Sequence, residues 1–376
     1  MKKDWSIGLM SGTSNDGKID VAALRTDGEK ILEFGPYQLF PYENKNIRNV
    51  IFDTYEEAKK WDFYGAEPEI FSKAQELITL EQSKAVKKFL EKYNFKKENI
   101  YSVGFHGQTV LHRPPNNKTK IGKTKQLGDG KMMCRFIGLP VVYDFRSNDV
   151  ANGGQGAPLA PIYHLALSKT MNENSLIFLN IGGISNLTYI DLDSDLIAFD
   201  TGPGNSPIDD FVKMNKSGSM DKDGMFAKRG KPKKRVVEKI MSNEYFQKSY
   251  PKSLDRFDFD FQEISHLSLE DGCATLTKII ALSILKGIDL LPKKPKKIII
   301  SGGGRKNSTL IEQIKFQTKL NCYKIEDYGM RGDAIEAEAF AYLSARSLKD
   351  LPLSFPHTTG VSYPLVGGEK CLPSST

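Results

Sequence analysis

Apolar and polar residues recur along this chain with two periods, and stretches of one period alternate with stretches of the other. Residues 6–10 and 19–25 read as short strands joined by a turn at 11–17 and closed by Asp27-Gly28, a β-hairpin signature. A helix follows over 70–93, with Ile70, Ala74, Leu77, Ile78, Ala85, Phe89 and Tyr93 at helical spacing. Residues 100–105 form the next strand. A second hairpin runs through 176–181, turns at Gly182-Gly183 and returns through 184–191. Ser268, Glu270 and Asp271 can cap a helix that continues to about residue 291. The strand 297–301 empties into Gly302-Gly303-Gly304, and an amphipathic helix occupies 307–319. A last helix, 334–346, is rich in good helix formers. Such alternation argues for α/β layers, and no repeat of 20–50 residues is visible.

Composition narrows the class. The length of 376 residues allows two domains, and 39% hydrophobic with 26% charged residues suits a globular protein with real cores. The longest apolar runs, such as 279–285, fall far short of the roughly 20 residues that cross a bilayer. The N-terminus has no apolar segment behind its charges, so a cytoplasmic protein without membrane contact is expected. Four scattered cysteines (Cys134, Cys273, Cys322, Cys371) read as reduced thiols. Much of the net charge of +7 sits in two lysine-rich stretches, 228–235 and 293–297. Both carry proline and no interleaved aromatics, so they read as solvated connections and no nucleic-acid partner is expected.

The candidate chemistry lies in the glycine turns. Gly12, Thr13, Ser14, Asn15, Asp16, Gly17 and Lys18 come near the P-loop spacing, but Ile19 stands where that loop needs a hydroxyl, and a strand follows instead of a helix. What remains is a hairpin turn whose backbone N–H groups and hydroxyls can wrap phosphate oxygens, with Asp16 placed to hold magnesium through water. Gly182-Gly183 repeats the form between two strands. Gly302-Gly303-Gly304 is a glycine-only turn where a flat ligand can lie against bare backbone, and it lacks the dinucleotide fingerprint. The ordered set is what a two-lobed ATPase clamp requires: one hairpin per lobe on the phosphates, the third turn on the adenosine.

Phosphoryl transfer also needs a carboxylate to align and deprotonate the nucleophile. Asp200 is the first choice, since it closes an apolar run soon after the second hairpin; the alternative is a helix or turn cap. Asp144 is the second choice; the alternatives are a partner of Arg146 or a cap for the segment that follows. His106 and Gln108 stand at a strand end, where ligand groups gather. The five histidines form no HExxH spacing, and no GxSxG elbow is present, which argues against zinc catalysis and against an α/β-hydrolase.

Seven segments in order, 8–14, 104–109, 144–146, 153–159, 180–184, 199–203 and 301–304, resemble the motif series of the anhydro-N-acetylmuramic acid kinases. Residues 153–159 are the most specific, because no general ATPase argument predicts them. The resemblance implies an α/β, two-lobed actin/hexokinase-like (ribonuclease H-like) fold with a cleft, ATP and Mg2+ as cofactors, and a sugar substrate. It leaves a homodimer open. It implies that water attacks the anomeric carbon of 1,6-anhydro-N-acetylmuramic acid while the released O6 takes the γ-phosphoryl group, in recycling of cell-wall sugars. Asp200 would take the water's proton, and Glu336, which matches a recurrent family glutamate, would position that water. His106, Gln108 and Asp144 are expected on the substrate. Nucleotide would meet Gly12, Thr13, Ser14, Asn15, Asp16, Gly17, Gly182, Gly183, Gly302, Gly303 and Gly304, with Asp16 on the metal. The lobes are expected at 1–147, with 351–376 packing back on it, and at 148–350. Asn15 and Lys18 depart from the family's common residues there. The stretch 251–256, with Lys252-Ser253-Leu254, departs from the commoner Lys-Ser-Thr-Gly-Arg.

Overall fold

The computed structural model describes residues 5–11, 17–115, 121–191, 194–254 and 258–373. Its contacts divide the chain into two compact units, Met1–Thr170 with Ala334–Thr376, and Met171–Asp333.

In the first unit β1 (Trp5–Met10), β2 (Lys18–Thr26) and β3 (Ile31–Pro41) form an antiparallel meander, and β4 (Ile100–Phe105) joins β1 in parallel. A separate hairpin of β5 (Gln108–Arg113) and β6 (Lys123–Leu127) precedes β7 (Val141–Tyr143), which pairs in parallel with β4. The second unit repeats this plan. Its meander is β8 (Ser175–Ile181), β9 (Ile184–Asp191) and β10 (Ile197–Pro203); β11 (Lys297–Ser301) then lies parallel to β8, and β12 (Asn321–Lys324) parallel to β11. A short last strand, β13 (Glu369–Cys371), returns to the first sheet beside β7. The sheet orders are β13-β7-β4-β1-β2-β3 and β10-β9-β8-β11-β12. Each unit has three antiparallel strands and two parallel ones in spatial order 3-2-1-4-5. That is the ribonuclease H-like plan, and its occurrence twice is the actin/hexokinase-like fold.

Burial on both faces makes the central strands apolar throughout: Ile298, Ile299 and Ile300 of β11 are fully buried. One face of the first sheet packs Ile7, Leu9 and Val103 against Val86 and Phe89 of the helix Ile70–Lys92. The other face receives the helix Ile335–Leu348, which comes close because Gly8 and Gly104 have no side chain. A Cβ built on Gly104 would stand 2.1 Å from the Phe340 carbonyl oxygen. In the second unit Leu276, Ile280 and Ile284 of the helix Leu269–Ile288 close the core over the sheet. Ser268 starts that helix by accepting the Asp271 N–H, and Asn307 starts the helix Ser308–Thr318 by accepting the Leu310 N–H.

The units divide at 170/171 and 333/334, whereas the motifs placed the divisions at 147/148 and 350/351. The helix Ile335–Leu348 sits with the first sheet because the two glycines on β1 and β4 accommodate its backbone. The lysine stretch at 228–235 is not only a connection. It spans the ends of the helices Met225–Arg229 and Lys234–Met241, and Lys233 pairs with Asp271 at 2.5 Å. All four cysteines are thiols.

Candidate active site

The parallel strands of each sheet end at one edge, and the candidate residues gather at those ends, as ligand sites do in open α/β sheets. In the first unit β4 delivers His106. Gly107, at φ +71°, then turns the chain into β5. The imidazole is buried; Nδ1–H donates to the Gly107 carbonyl at 3.0 Å, so Nε2 accepts from Arg146 Nη2 at 3.1 Å. Burial, aided by the Arg146 charge, pushes the His106 pKa down to about 3, and the ring is neutral. Its ring centre lies 4.6 Å from that of Phe340, with the two planes tilted by 45°.

Arg146 is the hub of this edge. Its Nη1 donates to the Gly156 carbonyl at 2.7 Å, which ties it to the glycine-rich segment 153–159. That segment is itself anchored: Asp149 accepts the Gly156 N–H at 2.6 Å and the Thr359 hydroxyl at 2.5 Å, and the Gln155 N–H donates to the Thr359 carbonyl. Glu336, in the first turn of the helix Ile335–Leu348, lies in the field of Arg146. Its side chain keeps an accessible surface but is densely surrounded by protein. That surrounding raises its carboxyl pKa, and the Arg146 charge opposes the rise. Asp144, at φ 49°, accepts the Ser147 hydroxyl at 2.6 Å and so fixes the turn that aims Arg146. Gln108 is buried, with both ends of its amide engaged: Oε1 accepts from Ser11 at 2.9 Å and Nε2 donates to Tyr55 at 2.7 Å. Gln82 donates to the same Ser11 hydroxyl, so Gln108 belongs to a buried polar chain beneath the first hairpin.

In the second unit the two glycine turns are neighbours, because β8 and β11 are adjacent and parallel. The Gly182-Gly183 turn is stitched to the end of β10 by Gly204 N–H to the Gly183 carbonyl at 3.0 Å and Asn205 N–H to the Gly182 carbonyl at 2.7 Å. Gly302, at φ +75°, has no room for a Cβ, which would meet Asn180 Oδ1 at 2.2 Å; Gly304 is closed off in the same way by Ile181. Gly303 differs, since a Cβ there would meet nothing within 4 Å. The turn is therefore packed tightly at both ends and open in the middle, which fits a flat ligand lying on its backbone. Arg305 fixes it from behind, donating to the Gly302 carbonyl at 2.9 Å and pairing with Glu326 and Asp333, each at 2.7 Å.

Asp200 stands in the middle of β10, opposite Asn186, at a register shift before Gly202. It caps no helix. Its carboxylate accepts the Leu254 N–H at 2.8 Å, its own N–H donates to the Lys252 carbonyl at 3.0 Å, and its carbonyl accepts the Tyr245 hydroxyl at 2.6 Å. Gly12, Thr13, Ser14, Asn15 and Asp16 lie outside the described residues, as do Asp255 and Arg256. Gly17 is described, at φ +82°, with its carbonyl accepting the Tyr42 N–H.

A family model described as anhydro-N-acetylmuramic acid kinase matches residues 4–371. The chain belongs to this family. An anhydro-N-acetylmuramic acid kinase of Rhizobium rhizogenes is 48% identical over 369 residues, covering 98% of this chain and 99% of that protein. One of Brucella anthropi is 46% identical over 370 residues, with 98% and 99% covered. The anhydro-N-acetylmuramic acid kinase 2 of Jannaschia sp. is 46% identical over 372 residues, with 99% and 98% covered. As a member of this kinase family the chain is a kinase.

Within this family member, the candidate residues form two groups, one per unit: His106, Asp144 and Glu336 around Arg146, and Asp200 with the glycine turns at 182–183 and 302–304. Sequence reasoning missed the hub role of Arg146, and with it Lys252, Tyr245 and the Asp149–Thr359 pair. The fixed order Asp144-Phe145-Arg146 was a signal for the first. Lys252 lies in the 251–256 stretch that resembles a family segment, though no role was assigned to it there, and nothing in the local spacing pointed to Tyr245 or to the Asp149–Thr359 pair.

Proposed function

We propose that the chain is an ATP-dependent kinase that opens the 1,6-anhydro bond of 1,6-anhydro-N-acetylmuramic acid with water and phosphorylates O6, giving N-acetylmuramic acid 6-phosphate in cell-wall recycling. The family match over residues 4–371 carries this reading. The open face of the Gly302-Gly303-Gly304 turn and the neighbouring Gly182-Gly183 turn support nucleotide binding.

Water forms the new bond to the anomeric carbon as the bond from that carbon to O6 breaks. O6 takes the γ-phosphoryl group, ADP leaves, and the water's proton passes to Asp200. The Leu254 N–H holds that carboxylate in one orientation, which suits a base that must align its water before transfer. Glu336 and Arg146, with neutral His106 behind them, offer polar groups to the sugar and its water. Magnesium, when bound, would neutralise phosphate charge; Asp16, the residue assigned to it, lies outside the described residues. A cytoplasmic site of action is part of this reading; separately, no helix among the described residues is long and apolar enough to cross a membrane.

Mass analysis of product made in ¹⁸O-labelled water tests the chemistry. We expect label at the anomeric oxygen and phosphate on O6. Phosphorylation of free N-acetylmuramic acid alone, with the anhydro-sugar untouched, would overturn the reading.

A further inference from the structure

Behind Asp200 lies a charge that the proposed reaction does not use. Lys252 is 7% exposed, and its ammonium donates to the Tyr245 carbonyl at 3.1 Å. It stands 4.6 Å from the centre of the Tyr245 ring and 5.6 Å from that of Phe199. Among the described residues Nζ makes that one hydrogen bond and no ion pair. A buried ammonium so thinly compensated is costly, and a methionine would fill the same space without the cost. The backbone ties the segment that carries this charge to Asp200. The Asp200 N–H and carboxylate are bonded to the segment that carries Lys252, and the Tyr245 hydroxyl holds the Asp200 carbonyl. One small frame thus fixes an ammonium and a carboxylate with respect to each other.

We propose that Lys252 is a positioning residue for Asp200, its buried ammonium keeping that carboxylate ionised and oriented toward the attacking water. The role rests on Asp200 being the base. The surrounding titratable groups are Lys248, Tyr245, Tyr250, stacked on Phe199, and Asp258. Burial, with the Asp200 and Asp258 charges, pushes the Tyr245 phenol far above neutral pH, so it does not exchange protons there. Burial, with the Lys248 charge, lowers the Lys252 pKa to about 8, and Asp200 opposes that fall. At pH 7 the lysine is mostly charged; through pH 8 and above it loses the proton, and Asp200 loses that positive charge from its surroundings.

The test compares Asp200→Asn, Lys252→Met and Lys252→Arg in pH profiles of kcat/KM for anhydro-sugar phosphorylation, alongside Tm and affinity for a non-hydrolysable ATP analogue. Asp200→Asn should lose turnover by a factor of about 10² or more while still binding the analogue. Lys252→Met should move the acid limb up by about one pH unit, because Asp200 then protonates more readily. Its Tm at pH 7 should hold, since a buried charge has been removed. Lys252→Arg should keep the acid limb and extend activity past pH 8. If Asp200→Asn is inactive while the Lys252→Met acid limb stays in place, the lysine role falls and the base assignment stands. Near-normal turnover in Asp200→Asn would sink both. Should Lys252→Met fail to fold, Lys252→Arg decides alone: an alkaline limb unchanged from wild type overturns the proposal.

Discussion

Arg146 shows how much of the first unit's edge depends on one planar fork. Two of its N–H groups point in different directions, to His106 Nε2 and to the Gly156 carbonyl, while its charge acts on Glu336. A lysine has the charge but not the fork. We expect Arg146→Lys to lower kcat/KM by roughly tenfold or more, since a misaligned group close to chemistry costs on that order. The measured Tm should change little. Activity near wild type would show that only the charge matters. Such a residue is hard to read from sequence, because its partners lie 40 and 10 positions away and share no spacing rule. The Asp149–Thr359 bond, across 210 positions, is harder still. Asp200 and His106 stand out in the sequence for a plain reason: each is a polar residue that follows an apolar run near a glycine.

Elements with their own periodicity were legible nearly to the residue. The helix Ile70–Lys92 buries Ala74, Ile78, Ala85 and Phe89 at helical spacing, and the strand β4 is a short apolar run buried on both faces. The strand β3 was not legible. It lies at the sheet edge, half-buried along most of its length, so its residues carry no clean alternation. The three-residue β13 is too short to show any period. Glycines inside strands carried information of another sort, marking where a helix backbone lies against the sheet. Adding one methyl at Gly104 places it 2.1 Å from the Phe340 carbonyl oxygen, and backbone cannot yield as a side chain can. Gly104→Ala should therefore destabilise the first unit by about 3 kcal/mol, lowering Tm by roughly 5–10 °C in calorimetry. An unchanged Tm would mean that the helix docks more loosely than this.

At the scale of the molecule, acid should weaken the first unit through its histidines. His106 and His164 are both buried with pKa values lowered to about 3, His164 by burial and His106 by burial and the Arg146 charge. In the unfolded chain both titrate near 6.5. Below that pH the unfolded state gains protons that the folded state refuses, so stability is lost as pH falls from about 6.5 toward 3. The loss is roughly 2 kcal/mol per histidine by pH 5. Denaturant unfolding at pH 7 and pH 5 measures it, and His164→Gln should remove one share of the difference. A consequence of another kind follows from the helix Ile335–Leu348, which covers one face of a sheet whose first strand is β1. During synthesis that face has no cover until residue 348 has emerged, although most of its strands are complete by residue 143. The second unit, continuous from Met171 to Asp333, is finished first. At about 5–20 residues per second, the earlier-made sheet waits on the order of ten to forty seconds with its glycine-lined face open. The unit that begins the chain is thus the last to be completed, and in the nascent chain its sheet lacks the helix Ile335–Leu348 for that interval.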